Sequence, residues 1–291
     1  MSFKTRFAPS PTGPLHLGHA YSALLAYDMA QAAGGDFDLR IEDIDQSRAR
    51  PEWEAQIHDD LTWLGISWPQ PVMRQSERLD VYATALDALW RRGLLYECTC
   101  TRADIAAATA APQEGAPLLG PDGVIYPGTC RDRHDRSEID PRPTGAALRL
   151  NMAEALRMTG HTGARTSPLI FEEASNRRGT VRTYGPDLLR DVGDIVLARR
   201  DMGTSYHLSV VLDDAAQGIT DVVRGADLFE ATVIHVILQE LLGLPTPIYH
   251  HHRLIRDENG KRLAKRDDAR AISLFRQEGF TVGDIRSMID L

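Results

Sequence analysis

The spacing of apolar positions changes several times along this chain, and each change marks an element. Residues 3–8 read as a short strand. A loop over 9–17 follows and carries Pro9, Pro11 and Pro14. "GHAYSALLAYDMAQAAGG" then predicts an Ala- and Leu-rich helix, stopped by Gly34 and Gly35. "FDLRIEDID" alternates apolar and polar residues and predicts the next strand. A strand, a helix and a strand within this length make a parallel crossover unit. "PEWEAQIHDDLTWLGI" opens on Pro51 with acids in its first turn. It predicts a helix with Trp53, Ile57, Leu61 and Leu64 on one face. "SERLDVYATALDALWRRGLLY" predicts another.

From 98 to about 182 the periodicity fades into Ala-, Pro- and Gly-rich and then polar sequence, which reads as an irregular insertion. Regular patterns return near 188. "TSYHLSVVLDDAAQGITDVVRGADL" is expected to form two apolar strands separated by a turn. "FEATVIHVILQELLGL" predicts a helix stopped by Gly243 and Pro245, and "ARAISLFRQEGF" a short one. No internal repeat is visible. The expected layout is an α/β domain in two halves, 1–97 and 183–291, interrupted by a smaller unit over 98–182.

Composition adds limits. With 291 residues the chain can bury one large core or two modest ones. No run approaches the roughly 18 apolar residues of a membrane span. The start, "MSFKTRFAPS", lacks the apolar core of a signal peptide, so a cytoplasmic protein is expected. The net charge of -8 argues against wholesale coating of nucleic acid, although the arginine-dense stretches near 177–200 and 253–270 leave room for a local basic path. Three cysteines, two of them in Cys98-Thr99-Cys100, suit a metal site or buried thiols better than a disulfide framework.

Two clusters carry chemistry. The proline-stiffened loop delivers His16, Gly18 and His19 to a helix start, where backbone N–H groups and a partial positive charge attract anions. The imidazoles add donors to phosphate oxygens. The bland alternative is a proline-rich turn with exposed histidines. The second cluster is Cys98, Cys100 and Cys130, three soft ligands for a zinc ion that wants four. On donor chemistry alone His134 would be the fourth, with water or three free thiols as alternatives. The histidines of "YHHHRL" alternate faces of a strand and do not make a metal site.

"FAPSPTGPLHLGHA" resembles the "HIGH" signature region of class I aminoacyl-tRNA synthetases, with the preceding R-F-A-P-S-P-T-G similar to the glutamyl and glutaminyl branch. "LRIEDIDQSRARPEW", "SYHLSVVLDDAAQGITDVVRGADLFEAT" and "HRLIRDENGKRLAKRDD" are similar to three further signatures of that branch, in the same order, over residues 6–268. The resemblance implies a Rossmann-type parallel-sheet catalytic domain that joins L-glutamate and ATP into glutamyl-adenylate and pyrophosphate. It assigns Arg6, Ala8, Ser10, Glu42, Tyr206 and Arg224 to glutamate, with the arginines on carboxylates and Glu42 on the ammonium. It assigns His16, Gly18, His19 and Lys265 to ATP, with magnesium accompanying the nucleotide, and His16, His19 and Lys265 to catalysis.

Two departures stand in the lysine loop. Arg262 replaces a lysine and Ala264 a serine, so slower or weaker use of ATP is expected. The resemblance also points to Tyr126 as the fourth ligand of a single structural zinc, because Cys-x-Cys…Tyr-x-x-x-Cys is typical of the branch's short paralogues. Only 23 residues follow Asp268, too few for an anticodon-binding domain. The short paralogues lack that domain too. They pass glutamate to the queuosine base in the anticodon loop of tRNA(Asp), so the same partner is expected here, with a monomer working away from membranes. A glutamyl-tRNA(Glu) synthetase fragment and an inactive synthetase-like regulator are the alternatives.

Overall fold

Residues 2–109, 119–133, 141–175, 177–256 and 270–291 are described by a computed structural model. The first strand, β1 (Lys4–Phe7), leads through the proline loop into α1 (Leu17–Ala32), and the chain returns as β2 (Asp36–Ile41). β1 and β2 pair in parallel, Arg6 opposite Asp38, as a right-length crossover requires. Helix α2 (Pro51–Trp63) has proline in its first turn, and its Ile57 and Leu61 are buried. Then come β3 (Met73–Arg74), parallel to β2, α3 (Leu79–Arg91) and β4 (Leu95–Cys98).

The middle of the chain contains α4 (Arg102–Thr109), a small hairpin of β5 (Leu119–Gly120) and β6 (Gly123–Val124), β7 (Ala147–Leu150), α5 (Met152–Thr159), β8 (Leu169–Glu173), β9 (Gly179–Thr183) and α6 (Gly185–Asp191). It closes with β10 (Val196–Ala198). β4, β7 and β10 form an antiparallel sheet in the order β10-β7-β4. The last stretch holds α7 (Tyr206–Gln217), β11 (Asp221–Gly225), α8 (Thr232–Leu242), β12 (Ile248–His252), α9 (Ile272–Gln277) and α10 (Val282–Met288). β11 and β12 are parallel and continue into β8 and β9. The Thr220 N–H donates to the Lys4 carbonyl at 2.9 Å, which places the start of β11 against β1.

Two expectations fail. The stretch 98–182, read as an irregular insertion, holds β7, α5, β8 and β9, whose short apolar runs, such as Leu148, Leu150, Leu156 and Phe171, are buried in the larger core although each is too brief to show a period. Residues 206–217, read as a strand, form helix α7. Ser205 caps it, its side chain accepting from the Leu208 N–H, and Gly218 ends it at φ +66°. The sequence misleads because the helix is buried nearly all round. Leu208, Val210 and Val211 face apolar neighbours, while His207, Ser209, Asp213 and Asp214 face polar ones, and all seven are buried. A continuous buried run has no 3.6-residue stripe to read. The remainder, 221–225, is a strand as expected.

Among the described residues two large apolar clusters hold the fold, beside a small one of Tyr96, Cys98, Tyr126 and Cys130. One gathers Leu15, Leu24, Ile41, Ile57 and Leu61 beneath α1 and α2 with Ile272 and Ile285 from the end of the chain. The other runs from Leu86 and Leu148 through Leu208 to Ile234 and Tyr249. Each fully buried side chain of this size contributes roughly 1.5–3 kcal/mol. Asp213 fixes α7 on α3 and on the 3-10 turn that leads into it, accepting from Tyr82 Oη of the helix and from Gln75 Nε2 and Arg78 Nε of the turn. No helix among the described residues is long and apolar enough to cross a membrane.

Candidate active site and cysteine cluster

His16 is the cap of α1. Its backbone is extended and its Nδ1 accepts the Gly18 N–H at 3.1 Å, while the His16 N–H donates to His19 Nδ1 at 3.2 Å. Because both Nδ1 atoms accept, both protons sit on Nε2. The cap therefore turns two imidazoles into N–H donors, their rings 3.9 Å apart between centroids. A Cβ on Gly18 would lie 3.0 Å from His16 Cε1, so glycine gives the His16 ring its space. His16 is bridged to Ala271, and the Ile272 N–H donates to the Leu15 carbonyl at 2.8 Å. The chain that resumes at Arg270 is thus held beside the histidine signature. Lys265, Arg262 and Ala264 lie outside the described residues.

Behind this loop β1, β2 and α7 bring charges together. Ala8 and Ser10 are half-buried, and the Pro9 carbonyl between them accepts the Glu42 N–H at 3.0 Å. Arg6 forks onto Asp214, and fully buried Arg40 reaches the same carboxylate at 2.6 Å while donating to Glu42 at 3.0 Å. Burial alone would raise the Asp214 carboxyl, but Arg6 and Arg40 hold it below its ordinary value. Glu42 goes the other way, because burial outweighs Arg40 and Arg6. Burial likewise pushes the Tyr206 phenol up, in a field set by Arg224, Glu42, Arg6 and Asp214.

Arg224, on β11, is buried and differently served. Its Nε donates to His251 Nε2 at 3.1 Å, one Nη to His235 Nδ1 at 2.9 Å, and the other to Thr232 Oγ1 at 2.8 Å and, more weakly, to the Leu228 carbonyl at 3.5 Å. Every one of these acceptors is neutral. Burial and the Arg224 charge push His235 well below the usual histidine range, and burial with Arg224 takes His251 down to about 4. Among the described residues no carboxylate pairs with this guanidinium directly. Arg6 and Arg40 thus share Asp214 and Glu42 directly, whereas Arg224 meets its nearest described carboxylate, Glu173, only through the His251 ring.

The cysteines converge as expected. Cys98, Cys100 and Cys130 place their sulfurs within 4.8 Å of one another. Tyr126 Oη lies 3.5 Å from the Cys98 sulfur and 3.4 Å from that of Cys100, and it accepts the Cys130 N–H at 2.9 Å. Burial opposes ionisation of Cys130, yet hydrogen bonds from Tyr126, Thr99 and Cys100 bring its thiol down to about 6. The Arg149 guanidinium stacks 3.9 Å above the Tyr126 ring and its Nε donates to the Cys98 sulfur. Three thiols and a phenol oxygen at this spacing fit the donor set of a four-coordinate metal, and Arg149 offsets part of the charge such a set carries. His134 lies outside the described residues.

The structure brings Arg6, Glu42, Tyr206 and Arg224 into one electrostatic cluster, next to the loop of His16, Gly18 and His19. Sequence reasoning missed Arg40, Asp214, His235 and His251 as parts of it. Arg40 and Asp214 lay inside matched signatures, whereas His235 looked like an ordinary position of an apolar helix.

Residues 2–157 and 175–289 match the family described as tRNA synthetases class I (E and Q), catalytic domain. A glutamyl-Q tRNA(Asp) synthetase of Rhodobacter capsulatus is 62% identical over 292 residues, covering 99% of either chain. One from Nocardia farcinica is 44% identical over 91% of this chain and 76% of its own. Among solved structures, a glutamate tRNA ligase from Elizabethkingia meningosepticum, in complex with its amino acid, is 28% identical and superposes with a TM-score of 0.68 over 96% of this chain. The chain spans 54% of that ligase's length.

Proposed function

The chain belongs to the class I tRNA synthetases of the glutamyl and glutaminyl type, and on that footing we propose that it activates L-glutamate with ATP and passes it to the queuosine base of tRNA(Asp). One glutamate carboxylate oxygen attacks the α-phosphorus of ATP. The bond to the β-phosphate oxygen breaks and pyrophosphate leaves. A hydroxyl of the queuosine cyclopentene diol then attacks the glutamyl carbonyl, AMP departs, and the hydroxyl proton is lost as the ester forms.

The observation that carries this reading is Arg224, a buried guanidinium with neutral acceptors around it, facing the same cluster as Tyr206 and Glu42. It donates a charge-assisted hydrogen bond to one substrate carboxylate from the N–H its protein partners leave open. Glu42 takes the ammonium. Arg6 adds a second positive charge, and Ala8 and Ser10 line the amino acid. The Nε2–H groups of His16 and His19 donate to phosphate oxygens as charge builds on them, with Gly18 giving ATP close access. Lys265 balances the departing pyrophosphate, and magnesium accompanies the nucleotide. Cys98, Cys100, Cys130 and Tyr126 hold one zinc ion, which is structural and supplies folding energy to the insertion over 98–182.

The test is a charging assay with tRNA(Glu) and with queuosine-containing tRNA(Asp), alongside glutamate-dependent ATP–pyrophosphate exchange without tRNA. Exchange without tRNA and glutamylation of tRNA(Asp) alone are expected. Charging of tRNA(Glu) alone would sink the acceptor assignment, and the absence of any exchange would favour an inactive regulator.

A further inference from the structure

The acceptors around Arg224 are not isolated, and following them outward leads to a residue remote from the cluster. A guanidinium only donates, so His235 Nδ1 accepts from Arg224 and the His235 proton lies on Nε2. That N–H points at His207 Nδ1, 3.1 Å away. The His207 proton is then on Nε2, which reaches Asp122 Oδ1 at 3.2 Å. Only one set of tautomers satisfies all three contacts. The chain of donors runs from Arg224 through His235 and His207 to Asp122. His207 and His235 are buried, whereas the Asp122 side chain is 39% exposed.

Asp122 lies in the turn of the β5–β6 hairpin. This hairpin is seated by two glycines. A Cβ on Gly120 would come within 2.4 Å of the Asp191 carbonyl oxygen at the end of α6, and one on Gly193, at φ +66°, within 2.9 Å of the Ile125 side chain. The close approach fixes where Asp122 meets His207. On its other side Arg224 has a shorter relay of the same kind, through His251 to Glu173, with the His251 Nδ1–H donating to that carboxylate. Two imidazoles separate the guanidinium from Asp122 and one separates it from Glu173. The geometry holds Arg224 in orientation without neutralising it.

We propose that Asp122 is a positioning residue for the amino-acid site: through the tautomers of His207 and His235 it sets the pose in which Arg224 receives the substrate carboxylate. The inference rests on the reading of Arg224 as that receptor. It also makes glutamate affinity depend on the seating of the β5–β6 hairpin.

The experiment is glutamate-dependent ATP–pyrophosphate exchange by the full chain and its Asp122→Ala, Asp122→Asn and His207→Phe variants, with KM measured separately for glutamate and ATP. Asp122→Ala raises KM for glutamate roughly tenfold, the loss of about one well-placed charged hydrogen bond, and leaves KM for ATP unchanged. Asp122→Asn stays closer to the unaltered protein, because its amide oxygen still accepts from His207. Once His207 is phenylalanine, adding Asp122→Ala has no further effect. An unchanged KM for glutamate in Asp122→Ala, or equal rises for both substrates, overturns the relay. A lack of glutamate-dependent exchange by the unaltered protein would instead count against the assignment of the site itself.

Discussion

Arg6 and Asp214 form a forked pair, with Nε 2.9 Å from Oδ1 and an Nη 3.3 Å from Oδ2. They are 208 positions apart and come from the first strand and a late helix. The pair joins the first strand to a helix from the second half of the sequence inside the charge cluster. It also separates the roles of the two arginines foreseen on carboxylates. Arg6 has its counter-charge within the protein, whereas Arg224 has neutral partners.

Asp214 accordingly matters more than any surface acid. Replacing it by alanine leaves Arg6 and Arg40 buried with only Glu42 to balance them. Breaking a buried pair in this way costs about 3–5 kcal/mol. Urea denaturation should show that loss for Asp214→Ala, while Asp59→Asn, in an exposed pair with Arg276, stays within about 0.5 kcal/mol.

His16 tests the phosphate assignment. His16→Ala removes a cap, worth about 1 kcal/mol, and one Nε2–H donor. Pyrophosphate exchange should fall about 10²–10³-fold while the protein remains folded by circular dichroism. Gly18→Ala should impair exchange too, since the added methyl presses on the His16 ring.

Arg224→Lys retains charge but not the fork. An ammonium cannot serve His235, His251 and Thr232 together and still present a donor to the substrate. KM for glutamate should rise about a hundredfold, with KM for ATP little changed.

His251 gives an acid-side signature in stability. In the unfolded chain it titrates near 6.5, while burial and Arg224 bring it to about 4 in the fold. Between those values the unfolded state binds more protons, so stability falls as pH drops through this window. Glu173, held below its ordinary value despite burial by Ser175 and His251, adds a further loss only as pH falls below its unfolded value near 4.5. Thermal melts of His251→Gln should lose stability at neutral pH and show a flatter decline between pH 6.5 and 4.

Metal analysis of the purified chain should find one zinc per molecule. Cys130→Ser should abolish binding. Tyr126→Phe should weaken it while sparing the three sulfurs. Removal by a chelator should destabilise the region around β4, β7 and β10 before the parallel sheet, as hydrogen exchange would show.

The candidate residues could be named from the sequence because they sit in contiguous signatures. The resemblance singled out Arg6, Glu42 and Arg224, and the fold gathers them with Tyr206 in one charge cluster. The first crossover was equally plain, since α1 and β2 carry clear helix and strand periods. Helix α7 was not, because a helix buried nearly all round has no clear polar stripe to betray it. His235 and His207 escaped for a related reason. Their importance comes from pairing across α7 and α8, a contact between positions 28 apart that no periodicity encodes. Asp122 is further still from His207, in a stretch whose composition suggested only loop.

Asp213 and Asp214 are neighbours in α7, yet they serve opposite sides of the molecule. One grips α3 and the turn before it through Tyr82, Gln75 and Arg78, and the other grips β1 and β2 through Arg6 and Arg40. At the other end of the same helix stand Tyr206 and His207. Eight residues at 1.5 Å each put Tyr206 about 12 Å along the axis from Asp214. The helix is therefore a strut of fixed length and fixed phase. Deleting one residue between Val210 and Asp213 would turn the two aspartates by about 100° relative to Tyr206, losing both grips at once without altering a single side chain that touches substrate.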